Sequence, residues 1–242
     1  MNKTHRVFLT AEWRDLVMLN YEVDPALLRE YVPPGTQLDS FGGKTYLSLV
    51  GFRFLNTRMF GKIPIPFHRD FEEVNLRFYV RRKEEGEERR GVVFIAEIVP
   101  KQAVARIARL AYGENYICLP MKHCTEAVGP GREVQYQWQA EKQWCKLWAQ
   151  AEGPAVQPGE GSREQFIAEH YWGYSARPGR DCLEYRVEHT PWNVWTCTEA
   201  GFEGDASAIY GAELGRVLQR RPDCAFIADG SPVSVFTGRR IA

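Results

Sequence analysis

From residue 71 to residue 82 the chain alternates strictly, with Val74, Leu76, Phe78 and Val80 on one side and Glu73, Asn75, Arg77 and Tyr79 on the other. A period of two predicts a β-strand with one apolar and one polar face. Here the polar face aligns a carboxylate, an amide, a guanidinium and a phenol. Such a face is either solvated or turned into a barrel interior, where it can grip a small anion. Apolar or alternating runs predict further strands at residues 14–23, 44–54, 91–99, 116–125, 133–139, 182–189 and 192–198. The charged run 83–88, centred on Gly86, predicts a hairpin between the strands that flank it. Residues 225–228 and 233–236, around Asp229 and Gly230, read as a second hairpin closing the chain.

Helical signals are fewer. Asp24 before Pro25 has the form of an oxygen-bearing cap, so a short helix is expected over 25–31, stopped by Val32-Pro33-Pro34-Gly35. Val104, Ile107, Ala108 and Ala111 recur at helical spacing and predict a helix over 101–112, ended by Gly113. Ser162 with Gln165 makes a capping box for a helix to about residue 171. Residues 205–220 form another, weakened by Gly211 and Gly215. The proline-bearing stretch 61–66 and the Gly/Pro-rich 153–161 read as loops. About nine or ten strands against three or four short helices give a mainly β fold. The expected architecture is a closed or nearly closed antiparallel β-barrel with capping helices, one domain over residues 1–242, because closure removes exposed strand edges.

Composition narrows the function classes. Lysine plus arginine and aspartate plus glutamate both number 31, so the formal charge is zero and neither a nucleic-acid nor an anionic-membrane partner is expected. The six cysteines are scattered without a Cys-x-x-Cys pair, and the N-terminus carries no apolar signal core. A cytoplasmic protein with free thiols is the expectation. No phosphate loop, dinucleotide fingerprint, nucleophile elbow or His-Glu-x-x-His pair occurs, so no cofactor is expected. The five histidines lack paired spacing, and no metal site is expected either; His170 and His189 read as packing residues. Whether Trp138, Trp144, Trp148, Trp192 and Trp195 belong to the core or to a homo-oligomer interface stays open.

Six stretches carry a family resemblance: Asn20-Tyr21-Glu22-Val23-Asp24-Pro25, Val32-Pro33-Pro34-Gly35-Thr36, residues 48–54, residues 71–77, Val187-Glu188-His189-Thr190-Pro191-Trp192 and Gly230-Ser231-Pro232-Val233. Together they resemble the YqjF-like family of uncharacterised bacterial proteins, itself related in fold to acetoacetate decarboxylase. The resemblance implies a β-barrel around a buried polar cavity. The decarboxylase works through a lysine Schiff base, that lysine's pKa being depressed by a second lysine beside it. Arg14 and Asp15 stand where the decarboxylase has Arg-Glu, and Phe71-Glu72-Glu73 resembles its aromatic-x-Glu. In the lysine-pair stretch one register leaves Tyr116 and Ile117, the other Met121 and Lys122. Neither supplies two lysines, so ordinary Schiff-base decarboxylation is not expected.

The candidate catalytic residues are therefore Glu73, Arg14 and Lys122, with Asn75, Arg77, Tyr79 and Tyr116 as ligand-binding residues. Two arginines and a carboxylate suit a small, anionic carboxylate or oxo compound. Between two guanidiniums Glu73 is expected to stay ionised and to orient a ligand rather than donate a proton. Two classes remain: an enzyme of lyase type acting on a small oxo acid, or a non-catalytic sensor or carrier. A scaffold without ligand would instead fill the barrel with side chains.

Overall fold

The computed structural model describes residues 6–64, 68–84, 86–176 and 181–241. Residues 65–66 of the proline-bearing loop, residue 85 of the hairpin tip and the first five residues of the N-terminus lie outside this range. The fold is mainly β. Its strands are β1 (Val7–Val23), β2 (Gln37–Leu38), β3 (Thr45–Met59), β4 (Ile63–Pro64), β5 (Phe71–Glu84), β6 (Glu87–Val99), β7 (Tyr116–Cys118) and β8 (Met121–Val128). They continue with β9 (Gly131–Ala140), β10 (Gln143–Ala151), β11 (Trp172–Ala176), β12 (Cys182–His189), β13 (Val194–Glu203), β14 (Cys224–Phe236) and β15 (Arg239–Ile241). The helices are α1 (Gln102–Tyr112), α2 (Arg163–Ala168) and α3 (Ser207–Leu218). The turn expected over 25–31 forms as a 3₁₀ helix, with Asp24 accepting from the Ala26 N–H at 2.8 Å.

Neighbouring strands run in the order β12-β11-β6-β5-β3-β1-β14, and β12 also pairs with β14 through Val187 opposite Val235. Most pairs are antiparallel; β6 pairs in parallel with β7 and β11. Beyond β14 the sheet continues through β13, β10, β9 and β8. The β9 and β10 strands fold back onto the β1/β3 wall. Gly51 permits this approach, since a Cβ there would sit 2.6 Å from Tyr136 Cδ2 and 2.8 Å from Leu147 Cδ2.

This second layer explains why β5 is buried on both faces. Val74, Leu76, Phe78 and Val80 join a core shared with Val134, Tyr136, Trp138 and Leu147. The opposite, polar face turns inward and is equally dry. Two kinks oppose each other between β1 and β14. Asp15 takes φ 58°, Gly230 takes φ 82°, and Arg14 pairs with Gly230. A Cβ at Gly230 would lie 1.9 Å from the Trp13 carbonyl, so only glycine fits.

Several expectations need correction. The hairpin around Asp229 and Gly230 is one continuous strand, β14, because β1 bends with it and keeps the ladder intact. The run 116–125 is two strands, broken at Leu119-Pro120: β7 lies beside β6, and β8 belongs to the second layer. Strands β2, β10, β11 and β15 lie outside the expected set, β4 forms a short pairing with β3 within the stretch read as a loop, and α2 stops at Ala168. The capping box at its start forms in part: Ser162 Oγ accepts from the Gln165 N–H, and Gln165 Oε1 accepts from the Gly161 N–H.

Candidate functional site

Three adjacent strands bring their polar side chains into one row. Asn75 on β5 is opposite Glu97 on β6, and Glu97 is opposite Tyr116 on β7. Glu73 and Arg77 flank Asn75 on the same strand face. The turn after α1 adds Glu114. Gly113 ends the helix at φ 72°, its N–H on the Arg109 carbonyl, and Arg109 Nε donates to the Tyr116 carbonyl at 2.7 Å. Asn115 then locks onto β6, its carbonyl accepting the Glu97 N–H at 3.0 Å and its side-chain amide donating to Ile95 O at 3.2 Å. None of Glu73, Asn75, Arg77, Glu97, Glu114 and Tyr116 is more than 8% exposed.

These six groups, with Tyr185 and His170, line the polar part of a cavity of about 130 Å³. Its remaining wall is mostly apolar, including Trp13, Leu16, Phe52, Phe54, Phe71 and Phe94, with Val104, Ile107 and Ala108 of α1. Among the described residues no lysine lines it.

Within the polar part, Asn75 Nδ2 donates to Glu73 Oε1 at 3.1 Å, and the Tyr116 hydroxyl lies 3.2 Å from Glu73 Oε2 in a second hydrogen bond. Tyr185 bonds Glu114 through its hydroxyl. It can do so because its ring lies across Gly173, its cross-strand partner, where a Cβ would come within 2.1 Å of Cζ.

Burial pushes Glu73 up to about 8, Glu114 up to about 7 and Glu97 well above the ordinary carboxylate range. Repulsion from Glu114 adds to the effect on Glu73 and on Glu97. Arg77 pulls Glu73 down, but by less than burial lifts it. The expectation of an ionised, orienting Glu73 is thereby corrected: the second guanidinium is missing and the site is dry, so Glu73 holds a proton near neutrality. Burial, reinforced by the charges of Arg77 and Arg90, pushes His170 well below its usual range, leaving a neutral ring stacked on Tyr79 at 4.7 Å.

Among the described residues three polar atoms here have no hydrogen-bond partner: Asn75 Oδ1, Arg77 Nε and Glu97 Oε2. Arg77 Nη2 donates to the Ile167 carbonyl at 3.3 Å, and among the described residues no carboxylate is within ion-pair distance of this guanidinium. Buried polar groups are ordinarily satisfied, so such a concentration of unsatisfied atoms in one cavity calls for a ligand or water.

Of the candidates named from sequence, Glu73, Asn75, Arg77 and Tyr116 meet in the cavity wall. Tyr79 sits behind His170, its hydroxyl 2.6 Å from Ser48 Oγ. Arg14 is elsewhere. The kink at Asp15 resets the alternation of β1, so Trp13 and Leu16 face the cavity while half-exposed Arg14 pairs with Glu12 at 2.6 Å. Lys122, on β8 in the second layer, is exposed and rests over the Trp144 ring at 4.5 Å. Both are corrections to the expected catalytic set.

Sequence reasoning missed Glu97, Glu114 and Tyr185, and it read His170 as packing. One signal was available, since Glu97 is the lone charge inside the apolar run 91–99. Glu114 and Tyr185 left none, because they reach the site through a turn and a glycine notch. Among the described residues no group of three or more His, Cys, Asp or Glu side chains is arranged to hold a metal ion.

Known proteins share this architecture. Acetoacetate decarboxylase from Legionella pneumophila subsp. pneumophila str. Philadelphia 1 matches with TM-score 0.68 and 14% identity, over 97% of this chain and 87% of the other. The enduracididine biosynthesis enzyme MppR, solved with pyruvate, matches with TM-score 0.68 and 14% identity over 97% and 90%. An acetoacetate decarboxylase-like enzyme from Sphingomonas wittichii RW1 gives 0.67 and 15% over 96% and 92%. At such identities the likeness shows the fold alone. In sequence, 71 residues are 37% identical to the uncharacterized protein YqjF of Bacillus subtilis (strain 168), a match spanning 29% of each chain. Residues 10–232 match DUF2071, described as an uncharacterized conserved protein (COG2071), and the chain belongs to that family.

Proposed function

We propose that this protein binds a small carboxylate or oxo acid inside a closed barrel and acts on it by proton transfer, without a Schiff base. The observation that carries the reading is Arg77, a guanidinium 8% exposed, facing a cavity with Nε unpartnered and no carboxylate pair among the described residues. An uncompensated buried cation is costly, and an anionic ligand would neutralise it with paired donors. Protonated Glu73, supported by Tyr116 and Asn75, would then donate to the oxo oxygen. In a β-oxo acid that proton lets the bond to the leaving carboxylate become the double bond of an enol as carbon dioxide departs; Glu73, left as the anion, then takes the enol O–H proton back while the carbon that lost carbon dioxide takes a proton from solvent, giving the ketone. The solved relatives' names, acetoacetate decarboxylase and an enzyme complexed with pyruvate, support small oxo acids as the ligand class. Six free thiols support a reducing, cytoplasmic setting.

A second reading, a carrier or sensor with no turnover, is favoured by the absence of any lysine from the lining among the described residues and by its mostly apolar wall. One experiment separates the two. Turnover is assayed across a panel of 2-oxo and 3-oxo acids, with thermal shift in parallel, on wild type, Arg77→Met and Glu73→Gln. Proton-transfer catalysis predicts turnover lost in Glu73→Gln while ligand stabilisation persists. Stabilisation without turnover supports the carrier, and ligand-independent melting across the panel contradicts both.

A further inference from the structure

The cavity lining is mostly apolar around a single cluster of buried polar groups, and that balance specifies more than an anion. Its charged and hydrogen-bonding groups are the deeply buried ones, whereas the partly exposed lining residues are mostly apolar: Phe8, Leu9, Phe94, Val104 and Ile107, with His68 and His189 as exceptions. Helix α1 forms one side of this mouth, and Ile107 is 36% exposed there while still lining the cavity. Phe8 from β1 reaches across to Tyr112 of α1 at 5.2 Å, edge to face. The volume, about 130 Å³, is close to the roughly 150 Å³ of an engineered apolar cavity that admits benzene. A two- or three-carbon acid seated on Arg77 would leave the apolar portion empty.

We infer that the ligand is an amphiphilic acid whose carboxylate or oxo head sits at Arg77 and whose branched, aromatic or medium-length apolar arm runs out beneath α1 between Phe94 and Ile107. This rests on the reading of Arg77 as the anion anchor. Burying the arm against aromatic and aliphatic side chains supplies the affinity, and the buried polar row fixes the direction in which the ligand lies.

The test is titration calorimetry of the full chain with a graded set of 2-oxo acids: pyruvate, 2-oxobutanoate, 2-oxopentanoate, 4-methyl-2-oxopentanoate and phenylpyruvate. Straight-chain alcohols of matching length serve as uncharged controls. Affinity should rise about fourfold per methylene along the straight chain until the arm is filled. Ile107→Glu, a substitution at a partly exposed position that the fold should tolerate, should weaken the long and aromatic acids at least tenfold and leave pyruvate within twofold. Ala108→Leu, which narrows the same arm without adding charge, should act in the same direction. Measurable binding of pyruvate with no gain from added carbons would overturn this inference and leave the anion reading standing. Alcohols binding as tightly as acids would overturn the anion reading while supporting the apolar arm. No binding by any compound would overturn both.

Discussion

Replacing Glu73 by glutamine tests whether the cavity is dry enough to hold carboxyl groups in their neutral form. Glu73 is 2% exposed, and burial pushes it up to about 8. In the unfolded chain a glutamate titrates near 4.3. A group raised on folding stabilises the protein fully below its unfolded value, and that contribution is lost as the pH rises towards its folded value. Between pH 5 and pH 8 the Glu73 proton should therefore cost the fold roughly 1 kcal/mol per pH unit, about 3 kcal/mol across the window. Glutamine keeps the shape and removes the titration. The assay is urea unfolding of wild type and Glu73→Gln at several pH values, read as the difference between the two stabilities. His170 and His189, both lowered, oppose the trend below about pH 6.5, but they are present in both proteins and cancel in the difference. Glu84, held down to about 2 chiefly by its hydrogen bond to Arg82 with Arg239 assisting, loses its contribution only in acid, outside the window. Glu73→Gln should gain on wild type steadily from pH 5 to pH 8. Parallel stability curves would refute the claim of a buried, neutral Glu73.

Other substitutions probe the same structure from different sides. Arg77→Met should raise the stability of the ligand-free protein by about 1–3 kcal/mol, measured by urea unfolding, because it removes a buried cation with an unsatisfied Nε; equal or lower stability would mean that the guanidinium is already compensated. Glu184→Ala should cost about 3–5 kcal/mol in the same assay, since Glu184 is fully buried and receives Arg82, Arg89 and Arg239, joining β12 and β15 to the β5–β6 hairpin. Gly173→Ala should push Tyr185 off Glu114, costing about 1–3 kcal/mol and shifting the Tyr185 ring resonances in NMR; unchanged resonances would show that the notch is not needed.

Much of the framework can be read from local pattern. The β5 alternation, the cap at Asp24, the α1 stripe with its Gly113 stop and the kink at Gly211, which takes φ 80° inside α3, all express short-range physics. What escaped depends on partners distant in sequence. Asp229-Gly230 has turn chemistry, yet the kink at Asp15 in β1 follows it and keeps β14 whole. That same kink carries Arg14 out of the cavity and brings Trp13 in. Strand β10 does alternate, burying Cys145, Leu147, Ala149 and Ala151, but two tryptophans on its polar side obscure the period. The polar face of β5 is legible in the sequence; its protonation is not, because the cavity wall that desolvates Glu73 is assembled from strands and a helix distant in the chain and leaves no local trace.

The most direct test of an anion-binding cavity is a crystal structure of the protein with 4-methyl-2-oxopentanoate. The carboxylate is expected within hydrogen-bonding distance of Arg77, the oxo oxygen beside Glu73 and Tyr116, and the branched arm against Phe94 and Ile107. An occupied cavity with the carboxylate turned out towards α1, or a cavity left dry while the acid binds elsewhere, would contradict it.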